Sequence, residues 1–241
     1  MLIEVLCREC ADAEGNIPVY SAHIQEGGFH RVRCPVEHEI RVQVSYHPVE
    51  VLFQSAVDAF ADGYYREAFT AFKASHERML EFSIRVQLLG RNVEQQRIDD
   101  VWNEVAAQSE RQLGAYVALQ AQNSDDVPAL LKRTAVELRN KVVHKGYFPS
   151  AAETLQFGEH VYELLAGEIA RLIANFEQYV SDEINRAVWS RAEKPYVLTS
   201  WGSGSFSLWG NNKSTLVEMI EQARFDVIKK RTRPIASPAA E

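Results

Sequence analysis

The sequence predicts a mainly α-helical protein: a helical bundle with a small β module at its amino end and a β-hairpin-plus-helix extension at its carboxy end. Three observations predict it. Apolar residues recur at three- and four-residue steps from Pro48 to about residue 180. All three cysteines, four of the seven histidines and two short alternating runs fall within residues 1–47. Near Trp189 the composition shifts again, to short aromatic and Gly/Ser runs. The chain therefore divides into segments 1–47, 48–185 and 186–241.

In the first segment, Pro18-Val-Tyr-Ser-Ala-His-Ile24 and Ile40-Arg-Val-Gln-Val-Ser-Tyr46 alternate as half-buried strands do, and Gly27-Gly28 is a turn signal between them. From Pro48 the period changes. Val51, Leu52, Ser55, Ala56, Ala59 and Phe60 share one helix face, and Asp62-Gly63 stops that helix. Tyr65, Phe69, Phe72, His76, Met79, Leu80 and Ser83 carry a second helix to about Leu89-Gly90. Further helical segments are expected at about 93–122 and at about 127–145. Asp125-Asp126 would cap the latter, with Pro128 in its first turn and Gly146 at its stop. Ser150-Ala-Ala-Glu153 is a capping box for a long helix faced by Leu155, Val161, Leu164, Leu165, Ile169, Leu172, Ile173 and Phe176.

In the last segment, "KPYVLTSWGSGSFSLWG" reads as a hairpin turning at Gly202-Ser-Gly204, with Trp201 near Trp209. An amphipathic helix from Leu216 to Lys230 follows, and the end "KKRTRPIASPAAE" reads as a solvated tail. Trp189, Trp201, Phe206 and Trp209 with Lys194, Lys213 and later Lys229, Lys230, Arg231 and Arg233 could stack and hold single-stranded RNA. The plainer reading packs these rings onto the main body.

At 241 residues, 46% hydrophobic and 24% charged, the composition is globular. No run of about 18 apolar residues is long enough to cross a bilayer, and the amino end lacks the pattern of a secretory leader. A cytoplasmic protein without a membrane partner is expected. A net charge of −7 argues against a general nucleic-acid coat protein, leaving local basic patches. Three cysteines, an odd number, suit metal binding or burial better than a disulfide framework.

Cys7-Arg-Glu-Cys10 offers two thiolates from one tight turn, and Cys34-Pro-Val-Glu-His38 adds a third sulfur and an imidazole. Together they can close a tetrahedron of the Cys3His type around one structural zinc per chain. Fewer than 50 residues with few large apolar side chains need such a staple to fold. His23 or His30 could serve in place of His38, His47 less readily, and three reduced cysteines packed in a small domain are the plain alternative. The module resembles a zinc ribbon, with a surface for RNA or a protein partner.

The stretch "VELRNKVVHKGYFPS", residues 136–150, gathers polar chemistry at a helix end. Between Leu131 and Gly146 stand Lys132, Arg133, Arg139, Lys141 and Lys145 against the single acid Glu137. Asn140 and His144, four apart, share a face; Arg139 points roughly 140° from His144 and reaches it only by its length or if the helix unwinds. The negative end of the helix dipole favours a protonated His144. An arginine and a cationic histidine suit a phosphate. The chemistry open to them is attack of an RNA 2′-hydroxyl on the adjacent phosphate, with histidine moving a proton and arginine stabilising charge on the phosphate oxygens. The plainer reading is that basic residues simply complement a helix C-terminus.

Arg139-Asn140-Lys141-Val142-Val143-His144 resembles the R-x4-H motif of the HEPN superfamily, in its form with a polar residue directly after the arginine. "AFADGYYREAFTAFKASHERMLE" resembles the early helix pair of that family, and "ELRNKVVHKGYFPSAAETLQFGEHVYELL" its junction with the last long helix. The similarity spans about residues 48–180. It implies a metal-independent endoribonuclease, with Arg139 and His144 catalytic, Asn140 supporting them by orienting the histidine or the phosphate, and Arg133, Lys141 and Lys145 binding RNA. It further implies a homodimer, open to higher assembly, whose two motifs form one composite site. Glu77 or Glu81 would be an added acidic residue, although a solvated helix face explains both. The family's setting implies a toxic effector of phage defence by abortive infection, released by an activator such as a phage protein. Some relatives carry a modifiable tyrosine two residues after the histidine; Tyr147 stands third. A non-catalytic RNA- or nucleotide-binding protein and a helical interaction scaffold are the competing readings.

Overall fold

His47 opens the first helix of the bundle. Its Nδ1 accepts from the Val49 N–H at 3.2 Å, and Glu50 returns a carboxylate to the His47 N–H at 2.9 Å, closing a capping box ahead of α1 (Pro48–Ala61). The computed structural model describes residues 1–25, 28–123, 127–189, 197–199, 205–210 and 212–239. Helices α2 (Tyr65–Leu89), α3 (Gln95–Val105), α4 (Ser109–Gln120), α5 (Arg133–His144), α6 (Ala151–Trp189) and α7 (Leu216–Thr232) make it mainly helical. Central α2 packs against α1 and α6, and α4 lies across it.

The bundle core is aromatic. Phe53, Phe69, Phe72 and Phe82 are fully buried with Leu165, Ile169 and Leu172 of α6, and the Phe69 and Phe157 rings stack at 3.9 Å. Gly158 lets α6 approach so closely that a Cβ there would stand 2.7 Å from the Phe72 ring and 2.9 Å from Leu216. Inside α6, Phe176 leaves helical geometry (φ −144°, ψ 31°), and its ring covers Gly90 at the end of α2.

At the amino end, β1 (Leu2–Leu6) and β2 (Val19–His23) form an antiparallel pair, as do β3 (Phe29–Arg33) and β4 (Glu39–Val44). Two late segments complete this module. Strand β5 (Val197–Thr199) runs parallel to β4, and β6 (Ser237–Pro238) runs antiparallel to β3, giving the order β5-β4-β3-β6. The chain before β6 also bonds to β2: the Ser21 N–H donates to the Pro234 carbonyl and the Ala236 N–H to the Ser21 carbonyl. The closing segment thus stitches the two sheets together.

Several expectations are corrected. The carboxy-terminal end is not a solvated tail: Ala236 is buried, Arg231 pairs with Asp62, and Arg233 pairs with Glu4. The predicted hairpin does not form as such, because β5 takes β4 as its neighbour and residues 205–210 turn, burying Phe206 and Leu208 in the bundle. Trp201 and the turn at 202–204 lie outside the described residues, while Trp209 is exposed. Segment 93–122 divides into α3 and α4. Helix α5 starts six residues later than expected, at Arg133, since residues 127–132 form no regular structure; the expected cap at 125–126 lies outside the described residues.

Gly158→Ala should therefore lower the unfolding free energy by about 1–3 kcal/mol through overpacking. Gly167→Ala, with open space where its Cβ would stand, should be neutral or slightly stabilising. Urea titration of the two variants checks the contrast.

Candidate functional site

Two constellations stand out. In the β module, residues 8–10 form a short 3-10 turn closed by the Cys10 N–H on the Cys7 carbonyl, and the Glu37 N–H closes a second turn on the Cys34 carbonyl at 2.9 Å. Glu37 takes φ +67°, which turns the chain so that His38 faces the sulfurs. The Cys10 and Cys34 sulfurs lie 3.7 Å apart, and His38 Nδ1 lies 3.1 Å from Cys10 and 3.7 Å from Cys7. All four donor atoms fall within 4.8 Å of one another. Metal–sulfur and metal–nitrogen bonds of about 2.0–2.3 Å give tetrahedral edges of ~3.4–3.8 Å, so the set fits a metal ion.

The electrostatics agree. Burial and the neighbouring sulfurs push the Cys7 thiol up to about 11, whereas for Cys34 burial is opposed, and outweighed in sum, by hydrogen bonds from the Val36 and His38 backbone and the Cys10 and Cys7 side chains, which hold it below its usual value. Three thiolates in so small a volume need a cation to ionise together. Glu9 stands 4.0 Å from His38 Nε2, where a carboxylate orients a ligating imidazole. The alternative histidines are used elsewhere. His30 is buried in β3 and accepts from the Gln25 N–H, His23 lines a different cavity, and His47 caps α1.

The second constellation lines a cavity of about 580 Å³ between α2, α4 and α5. Arg139, Asn140, His144 and Lys145 come from α5 and its end, Lys73, His76 and Glu77 from α2, and Ser109 and Glu110 from α4. The helix does not unwind to bring Arg139 and His144 to one cavity: α5 is regular through His144 and stops at Gly146, which takes φ +66°. Arg139 reaches by length. Its Nη1 donates to Asn140 Oδ1 at 2.8 Å and its Nη2 to Ser109 Oγ at 2.9 Å, so the contact of Asn140 is with the arginine. His144 is exposed at the mouth.

The remaining expected residues separate. Lys145 lines the cavity, but Lys141 does not, and Arg133 is exposed and paired with Glu137. Glu77 lines it, bound to Lys73 at 2.8 Å; Glu81 turns away to Arg78 and Arg85. No protein-family model, curated protein or solved structure matches the chain.

Three site residues escaped the sequence reading. His76, assigned to the apolar face of α2, is nine-tenths buried at the cavity wall. Burial, helped by the charges of His160, Arg139 and Lys73, pushes it down to about 4, so it stays a neutral proton acceptor at pH 7. Ser109 anchors the arginine from thirty residues away. His160 of α6 accepts from the Lys132 N–H at 3.1 Å and so fixes the start of α5, which has no side-chain cap of its own. The i, i+4 spacing of His76 with Leu80 reads as core packing, and only the late-arriving α5 reveals the polar use.

Cys34→Ser should remove most of the bound metal, measured as metal per chain by elemental analysis of freshly purified protein, and should lower the urea midpoint. Retention of stoichiometric metal would contradict the ligand assignment.

Proposed function

We propose that the chain is a HEPN-type endoribonuclease that cuts RNA without a metal in its active site, and that the β module is held by zinc. The observation that carries the reading is the convergence of Arg139, Asn140 and His144 with Lys73, His76 and Glu77 on one cavity. That set holds the groups the chemistry needs. A neutral imidazole can take the 2′-hydroxyl proton as the oxygen attacks the neighbouring phosphorus, and a protonated one can return a proton to the departing 5′-oxygen. Arg139, held by Asn140 and Ser109, is pre-aimed to stabilise charge on the phosphate oxygens. The reaction leaves a 2′,3′-cyclic phosphate and a 5′-hydroxyl.

In this reading two chains set their cavities together around one RNA, and the exposed His144 lies where a second protomer could face it. The effector acts in phage defence, killing or arresting its own cell after a trigger. Soft thiolates with one imidazole in a tetrahedron favour zinc, with all four positions filled by protein, so the metal supports folding and takes no part in cleavage.

His144→Ala and Arg139→Ala should each reduce cleavage of single-stranded RNA at least about 100-fold while leaving the far-UV circular dichroism unchanged. A folded double variant that cuts RNA like wild type would overturn the site. Unchanged RNA binding and unchanged toxicity in that variant would favour the non-catalytic alternative.

A further inference from the structure

Four residues beyond His144, in the loop between α5 and α6, Phe148 is 76% exposed. The loop that presents it is fixed on both sides. The Tyr147 hydroxyl donates to Glu153 at 3.0 Å, Ser150 and Glu153 close the capping box of α6, and Pro149 is buried. A single exposed ring is ordinary. What sets this one apart is Arg66 of α2, whose guanidinium lies over the ring at 5.7 Å from its centroid. The Arg66 Nε is buried with no hydrogen-bond partner. One face of the ring carries a cation and the rest of it faces solvent.

The position relative to the cavity follows from helix geometry. Arg66 precedes Lys73 by seven residues, which places it within about 20° of the same face of α2 and ~10 Å along the axis. The loop after α5 carries the chain from His144, at the cavity, to Phe148. Helix α2 and the loop after α5 therefore both lead from the Arg139/His144 cavity to the same ring.

We propose that Phe148 and Arg66 form a stacking subsite for an unpaired nucleobase of RNA, flanking the phosphate held at Arg139 and His144; this rests on the ribonuclease reading. The base lies on the open face of the ring, and the Arg66 guanidinium strengthens the platform and can meet a neighbouring phosphate. Every nucleobase has a π-face, so the subsite selects single-stranded over paired RNA and is tolerant of sequence.

The test uses the full chain and a fluorescein-labelled, fully 2′-O-methyl RNA oligonucleotide, which lacks the attacking hydroxyl and so reports binding alone. By fluorescence anisotropy, Phe148→Ala should weaken binding roughly 5- to 150-fold and Phe148→Trp should hold it near wild type. An oligonucleotide with one abasic position should bind wild type more weakly and narrow the gap to Phe148→Ala. Equal binding by wild type and Phe148→Ala would overturn the subsite and leave the ribonuclease reading standing. Wild type that binds no RNA would overturn both. A loss of binding accompanied by dissociation of the oligomer in sedimentation would place the ring in an interface between copies and overturn the stacking role.

Discussion

The carboxylate of Glu168 lies inside the bundle and is satisfied from three helices at once. Ser83 of α2, Tyr116 and Gln120 of α4, and Arg171 of α6 all donate to it. A buried acid of this kind is costly to strip of its partners, about 3–5 kcal/mol when one side of a buried pair is lost. Its hydrogen bonds fix α4 against α2 and α6, and the position of α4 decides everything on the far side. Ser109, Glu110 and Leu113, at the other end of α4, form the wall that α5 faces. Without the Glu168 hub there is no fixed surface for Arg139 to reach and no closed cavity beside His76.

The same hub explains where the sequence was legible. Helices α1, α2 and α6 bury aromatic and branched apolar side chains, so their period reads directly from the chain, as does the capping box of α6, whereas the His47 cap of α1 does not. Helix α4 buries Gln112, Tyr116 and Gln120, a polar stripe at four-residue spacing that carries no hydrophobic signal. Its partner residue is 48 to 52 positions away. The start of α5 was misplaced for a related reason: its anchor is a histidine on α6, not a capping residue next to it. The Cys/His cluster is legible because two tight turns encode it locally; the three-residue gap from Cys34 to His38 is a less standard spacing, which the Glu37 turn makes workable. The carboxy-terminal end misled most. Its composition is that of a solvated tail, and only pairing with strands some two hundred residues earlier gives it structure.

That pairing joins the Cys/His-bearing β module to the bundle. Strand β6 and the chain before it lie against β2 and β3, Arg233 reaches Glu4, and Arg231 reaches Asp62 at the end of α1. The module is thus clasped by the chain that leaves α7, while Glu50 of α1 accepts from the Leu208 N–H and draws the preceding segment into the core. Burial pushes the Glu50 carboxyl up to about 7, while the hydrogen bonds it accepts from the Leu208 and His47 N–H groups pull it down. The β module, the closing segment and the helices are thus connected, and the Arg139/His144 cavity lies between α2, α4 and α5.

In this proposal the side chains of that cavity, without a metal, promote attack of the 2′-oxygen on the adjacent phosphorus as the 5′-oxygen leaves. The most direct measurement is the chemistry of the ends left on a defined single-stranded RNA cut in EDTA, with circular dichroism of the same sample confirming that the protein remains folded. The account predicts continued cleavage with 2′,3′-cyclic phosphate and 5′-hydroxyl ends. Ends carrying a 3′-hydroxyl and a 5′-phosphate, formed only when divalent metal is restored, would contradict it.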